Sequence, residues 1–169
     1  MIILGLDPGT ATTGFGVIKA NGESLELLDY GCIETSMAHS LAVRLNQISK
    51  DLLEIIKMWK PDSIAIEELF FSKNVKSAMN VAHARGAIMQ KLAEQGYKIY
   101  EYKPQKIKEA VCNYGRADKK QVQRMVKIIL GMNELPRPDD AADALAVAIC
   151  HANVVQFEKK VAETNSNNK

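Results

Sequence analysis

The apolar run Ile2-Ile3-Leu4-Gly5-Leu6 ends at Asp7, and that ending constrains the fold more than any other feature of the chain. A carboxylate at the mouth of a buried strand is costly unless something compensates it. The arrangement recurs twice. Ile64-Ala65-Ile66 runs into Glu67-Glu68, and Asp139-Asp140-Ala141-Ala142-Asp143 opens an apolar segment at Leu145-Ala146-Val147-Ala148-Ile149. A fold that gathers these three segments must offset their mutual repulsion, and a hard divalent cation with all-oxygen ligands would do so.

The rest of the pattern says how they could be gathered. Residues 2–7, 14–20 and 24–34 read as strands, the first two joined through Pro8-Gly9-Thr10 and the next two through Asn21-Gly22, a tight-hairpin signal. Residues 40–60 repeat Leu41, Leu45, Ile48, Leu52, Ile55, Ile56 and Trp59 at helical spacing, with Ser40 placed to cap and Pro61 just beyond. The short β-branched run 62–67 follows this helix, so a parallel crossover should set it beside the first strand. Asp7 and Glu67 would then share one sheet edge. A helix over 75–95 with Gly96 as its stop, a strand over 97–102, and helices over 104–113, 119–130 and from Asp139 complete the reading. Gly86 inside its helix costs about 1 kcal/mol against Ala, which points to close packing there. Residues 158–169 have almost no apolar content and predict a disordered tail, leaving 1–157 as one domain. The fold class expected is α/β, a mixed five-stranded sheet flanked by helices.

Composition narrows the function classes. The 169 residues suffice for about one domain, and no apolar run approaches the ~20 residues of a membrane span. Met1 leads directly into a strand with no leader-like segment, so a cytoplasmic location without membrane contact is expected. Cys32, Cys112 and Cys150 form no C-x-x-C pair and read as reduced packing residues, and His39, His83 and His151 lack metal-ligand spacing. The formal net charge of +2 is unevenly spread: residues 98–127 carry nine Lys/Arg against three acids, which leaves the remainder net negative. With Tyr100, Tyr102 and Tyr114 interleaved, that segment suits a polyanion, although a solvated helical face would look similar.

Each acid has an ordinary explanation when taken alone. Asp140 and Asp143 lie three apart at a helix start, where acids suit the helix dipole and Asp139 can cap. Asp7 before Pro-Gly could cap a turn, and Glu67 and Glu68 could be surface acids. Their convergence in the inferred topology favours metal-assisted phosphoryl chemistry, in which a metal pair about 3.5–4 Å apart activates water and steadies the leaving oxygen. Acids alone would repel a phosphodiester; combined with the basic segment they make a metal-dependent nuclease chemically reasonable.

At these residues the chain resembles the RuvC family of bacterial Holliday-junction resolvases, within the ribonuclease-H-like superfamily. The resemblance runs from Gly5-Leu6-Asp7-Pro8-Gly9 through Ala65-Ile66-Glu67, Ala84-Arg85-Gly86 and Lys119-Lys120-Gln121-Val122 to Asp140-Ala141-Ala142-Asp143-Ala144-Leu145-Ala146. It implies a homodimer that binds four-way DNA junctions and nicks two strands symmetrically, with RuvA and RuvB branch-migration proteins as partners. It also implies Mg²⁺ as cofactor, two ions per site, with Mn²⁺ as a substitute. The family's four acidic positions fall on Asp7, Glu67, Asp140 and Asp143, making Glu68 and Asp139 neighbours. Its junction-centre aromatic falls on Phe70, with Phe71 adjacent, and basic positions near the cleaved strand fall on Lys108 and Lys119, with Lys120 and Arg124 further DNA contacts. Phe70-Phe71 could equally be core, and Lys108 merely solvated.

One rival reading starts from Asp7-Pro8-Gly9-Thr10 with Gly14, which looks like the phosphate-binding hairpin of actin, sugar kinases and Hsp70-type ATPases. Those place nucleotide between two such domains, and this chain has length for one. Others are a resolvase-like protein that binds structured DNA or RNA without cutting junctions or that cuts another substrate, and a scaffold whose acids only cap.

Overall fold

The computed structural model describes residues 1–69 and 75–167. The element order is β1 (Ile2–Asp7), β2 (Thr12–Asn21), β3 (Ser24–Glu34), α1 (Leu41–Trp59), β4 (Ser63–Glu67), α2 (Val75–Glu94), β5 (Ile99–Tyr102), α3 (Pro104–Cys112), α4 (Lys119–Ile129) and α5 (Asp139–Asn167). The strands form one sheet in the order β3-β2-β1-β4-β5. The two hairpins are antiparallel, and β4 pairs parallel to β1, as the crossover through α1 requires.

Strand parity assigns each residue to a helical layer. Leu4, Leu6, Val17, Ile64 and Ile66 face α1 and α2, whereas Ile3, Ile18 and Ala65 face α3, α4 and α5. By the same alternation Gly5 and Asp7 of β1, and Ser63 and Glu67 of β4, lie on the α5 side. Register completes the placement. Leu6 pairs with Ile66, so Asp7 and Glu67 are lateral neighbours at the ends of two parallel strands.

Glycines let α5 lie directly on that face. A β-carbon at Gly14 would collide with the Asp140 carbonyl, and one at Gly5 with the backbone of Ala144 and Ala148. Gly14 is the register partner of Asp7, so the point of closest approach between helix and sheet delivers the first turn of α5 beside β1's terminal carboxylate.

Composition predicts disorder from residue 158, and the structure describes α5 through Asn167. A helix nucleated by a buried N-terminal half extends without burying its later residues, first through Glu158, Lys159, Lys160, Ala162 and Glu163, which favour helix. Gln156 also donates to the Gly22 carbonyl, and Lys160 pairs with Glu23 at 2.6 Å on the β2–β3 turn. Gly86 is exposed, and a β-carbon there would meet nothing within 4 Å in this chain, so close packing within the fold does not account for it.

Candidate active site

Asp7 ends β1, Glu67 ends β4, Asp140 lies in the first turn of α5, and Asp143 follows three residues on. Burial first, then Glu67, Asp143 and Asp140, push the Asp7 carboxyl up to about 8. Burial and Asp143 push Glu67 up to about 7, against the opposing pull of Lys108 and Lys119. Asp143 is raised too, chiefly by burial, with Lys119 acting the other way. Three separated segments therefore meet closely enough for their charges to oppose one another.

Lys119 is the cation paired directly with these acids. It sits at the first position of α4, where a lysine is unfavourable to the helix dipole. The Asp118 capping box, with Asp118 Oδ1 accepting from the Gln121 amide at 2.9 Å, secures that helix start. The Lys119 ammonium is then free to face α5, with its Nζ 3.2 Å from Asp143 and 3.4 Å from Asp139. Burial would lower its pKa, but Asp143 and Asp139 outweigh that and hold it raised. Glu67, Lys108, Lys119 and Asp143 line one cleft of about 270 Å³ with Pro104, Ile107, Val122 and Ala146.

The doubled acids separate. Asp139 is exposed and accepts from Gln123 Nε2 at 2.7 Å, which together with Lys119 holds its carboxyl below the usual range. The Glu68 amide donates to the Tyr102 carbonyl at 2.8 Å, which fixes the chain immediately beyond Glu67. Lys120 and Arg124 are exposed and are not brought into the cleft; Arg124 lines a different hollow with Tyr114, Met125 and Ile128. Phe70 and Phe71 lie outside the described residues.

Sequence reasoning passed over two supporting features. Arg85 of α2 donates from Nε to the Glu67 carbonyl at 3.3 Å and pairs through Nη2 with Glu101, which anchors the end of β4 from behind. The alternate-residue glycines Gly14 and Gly16, opposite Gly5 and Asp7, were the visible signal for a helix lying directly on the sheet.

The donor set fits a hard divalent cation: all-oxygen, crowded and held neutral in part only by proton uptake, which is the condition a cation relieves. Among the described residues no three donors are drawn tightly enough to enclose an ion as they stand. Lys119, paired to Asp143, supplies part of the missing positive charge.

Comparison with known proteins agrees with this geometry. The family model described as crossover junction endodeoxyribonuclease RuvC matches residues 3–151. A crossover junction endodeoxyribonuclease RuvC of Alkaliphilus metalliredigens is 50% identical over 158 residues, covering 94% of this chain and 96% of the relative. The structure of T. thermophilus RuvC in complex with Holliday junction substrate superposes with a TM-score of 0.87 at 34% identity, covering 94% of this chain and 96% of that one. The yeast mitochondrial Holliday junction resolvase shares the fold, with a TM-score of 0.62 at 13% identity over 93% of this chain and 82% of that one. Strand-end carboxylates under a glycine-seated helix, in a chain matched over nearly its whole length, are those of a ribonuclease-H-like nuclease fold, and the chain belongs to the RuvC family.

Proposed function

We propose that this chain is a metal-dependent endodeoxyribonuclease that resolves four-way DNA junctions by paired, symmetric phosphodiester hydrolysis in recombination and repair. The carrying observation is the crowding of Asp7 against Glu67 and Asp143, the latter two lining one cleft with Lys119 and Lys108. Family membership over nearly the whole chain, and the likeness to a resolvase bound to its junction, support the substrate class.

In this reading Asp7, Glu67, Asp140 and Asp143 hold Mg²⁺, two ions per site, with Mn²⁺ as a substitute. When bound, the metal supplies an activated water and offsets charge on the leaving oxygen. The protein's own residues do the rest. Proton loss from Asp7 and Glu67 readies them as ligands. Lys119 leaves its Asp143 pair to face the scissile phosphate, where charge develops most in the transition state. Lys108, across the cleft, neutralises the flanking backbone, and exposed Lys120 and Arg124 extend the basic surface along the DNA.

Phe70, with Phe71, is proposed to stack on an opened base at the junction centre, on the resemblance alone. Two copies of the chain related by a two-fold axis present two sites to the junction, which accounts for symmetric nicks. RuvA and RuvB as partners and a cytoplasmic location complete the proposal, with residues 1–157 as the nuclease domain. Among the described residues no helix is long and apolar enough to cross a membrane.

The test is purified protein offered a mobile four-way junction, a linear duplex and ATP, each with and without Mg²⁺. Paired nicks in the junction only, and only with metal, are expected. Equal cutting of duplex, or ATP hydrolysis without DNA cleavage, would overturn the reading.

A further inference from the structure

The turn that follows Asp7 is polar, yet it is sealed. Thr10 and Thr13 are 5% and 0% exposed, so the carbonyls around them need donors from within the protein. Thr13 Oγ1 donates to the Gly9 carbonyl at 2.7 Å, and the Thr35 amide to the Ala11 carbonyl at 3.0 Å. The Thr10 carbonyl accepts twice, from Thr35 Oγ1 at 2.5 Å and from Arg44 Nη2 at 2.8 Å. Arg44 Nε donates to Thr35 Oγ1 at 2.8 Å, which closes a ring of three bonds between α1, the end of β3 and the turn.

Arg44 is unusual in what it lacks. Among the described residues no carboxylate lies within ion-pair distance of it, so its fork is committed to a backbone carbonyl and a hydroxyl. Arg44 is half-buried and loses rotamer freedom to reach these acceptors. The observed geometry uses two nitrogens of one planar guanidinium at once, which a lysine ammonium on its flexible stem cannot reproduce. Thr10 is three residues from Asp7, and a β-carbon at Gly9 would collide with the Thr12 carbonyl, so the turn has little slack. Displacement of the Thr10 carbonyl therefore reaches the Asp7 backbone.

We propose that Arg44, working through Thr35, is a positioning residue that clamps the turn Pro8–Ala11 and thereby holds the Asp7 carboxylate where it can take a divalent cation. The inference rests on the reading of Asp7 as a metal-site residue. Arg44 touches neither metal nor substrate in this account. Partners that orient ligating groups typically change metal affinity or activity by about 10–100-fold when removed.

The experiment measures Mn²⁺ binding calorimetrically to the DNA-free protein, alongside single-turnover junction cleavage over a Mg²⁺ titration and junction affinity in chelator, for Arg44→Ala, Arg44→Lys, Thr35→Val and Asp7→Asn. Arg44→Ala should weaken Mn²⁺ binding by about 10-fold and raise the Mg²⁺ needed for half-maximal rate in proportion, with metal-free junction affinity within about two-fold of the parent. Arg44→Lys should recover little of this. Thr35→Val, which removes two of the three ring bonds and keeps side-chain size, should weaken Mn²⁺ binding several-fold, and it decides the matter if Arg44→Ala does not fold. Full recovery by lysine, unchanged Mn²⁺ affinity in Thr35→Val, or lost junction affinity with intact Mn²⁺ binding would each overturn the clamp. Asp7→Asn separates the two failures: if it binds Mn²⁺ and cuts like the parent, the reading of Asp7 has failed; if it does neither while the Arg44 and Thr35 variants match the parent, only the clamp has.

Discussion

Two polar clusters lie under α5 on the same face of the sheet, and their chemistry is opposite. At the strand ends, Asp7, Glu67 and Asp143 are half-buried and crowd one another, with Lys119 paired to Asp143. Further along the helix His151 is fully buried, its Nε2 2.5 Å from Ser63 Oγ and its Nδ1 2.7 Å from the Tyr102 hydroxyl. One neutral tautomer satisfies that trio, because each hydroxyl can donate or accept. Burial pushes the His151 pKa down to about 4, so the imidazole stays uncharged at neutral pH. Ser63 and Glu67 sit on the same face of the same short strand. One strand thus carries a satisfied polar group, which adds stability, and a crowded carboxylate, which under the proposed function gives up stability for chemistry.

The comparison breaks most sharply at Asp7. Asp7→Asn should lower single-turnover cleavage by at least ~10²-fold while junction binding persists. It should also raise the melting temperature of metal-free protein at pH 8. The sign follows from linkage: with a folded pKa of about 8 and an unfolded value near 3.8, folded Asp7 binds the extra proton between those limits. Metal-free stability therefore falls as pH rises through that window, and the amide escapes the loss. Thermal melts of both proteins at pH 5 and pH 8 without metal check this; no gain for the variant at pH 8 would contradict it.

At the other cluster the effect is on stability alone. His151→Ala should cost about 3 kcal/mol, through the cavity and the two hydroxyls left unpaired, with cleavage per folded molecule retained. In the parent, His151 takes up a proton more readily unfolded than folded, so its contribution is complete above about pH 6.5 and is lost as pH falls toward 4, by about 3 kcal/mol in all. Denaturant melts across pH 4–7 in parent and variant isolate that dependence, and identical profiles would remove His151 as its source.

Lys119→Ala should slow the chemical step about 10-fold or more at saturating protein, with a smaller loss in junction affinity. A flattened salt dependence with a full saturated rate would make it a backbone contact only. The smallest effects belong to the neighbouring acids. Glu68→Gln and Asp139→Asn should stay within about two-fold of the parent rate, whereas Glu67→Gln and Asp140→Asn should each lose at least ~10²-fold. Equal losses within either pair would move the site's register.

Local chemistry explains why so much of this was legible. Strand and helix boundaries fall within a few residues of their expected positions because each is marked by its own punctuation, such as Asn21-Gly22, Pro61, Gly96 and Pro104. The pairing of β1 with β4 follows from the parallel crossover that a helix between two strands implies, and it sets Asp7 beside Glu67. What was missed depends on approach between segments remote in sequence. The seating of α5 on Gly5, Gly14 and Gly16, and the anchoring of Glu67 by Arg85, appear only when two elements meet. Apolar content over residues 158–167 reports burial and not helix extension, because a helix extended from a buried base needs no apolar face of its own.

If the strand-end carboxylates hold protons in place of a cation, metal binding must displace them. Calorimetry of Mg²⁺ or Mn²⁺ binding at pH 7, in buffers of different ionisation enthalpy, counts the protons released on binding and so addresses it directly. With Asp7 at about 8 and Glu67 at about 7, binding should release about one proton or more per site, and Asp7→Asn should abolish most of that release. Metal binding without net proton release, or the same release from Asp7→Asn, would contradict the account.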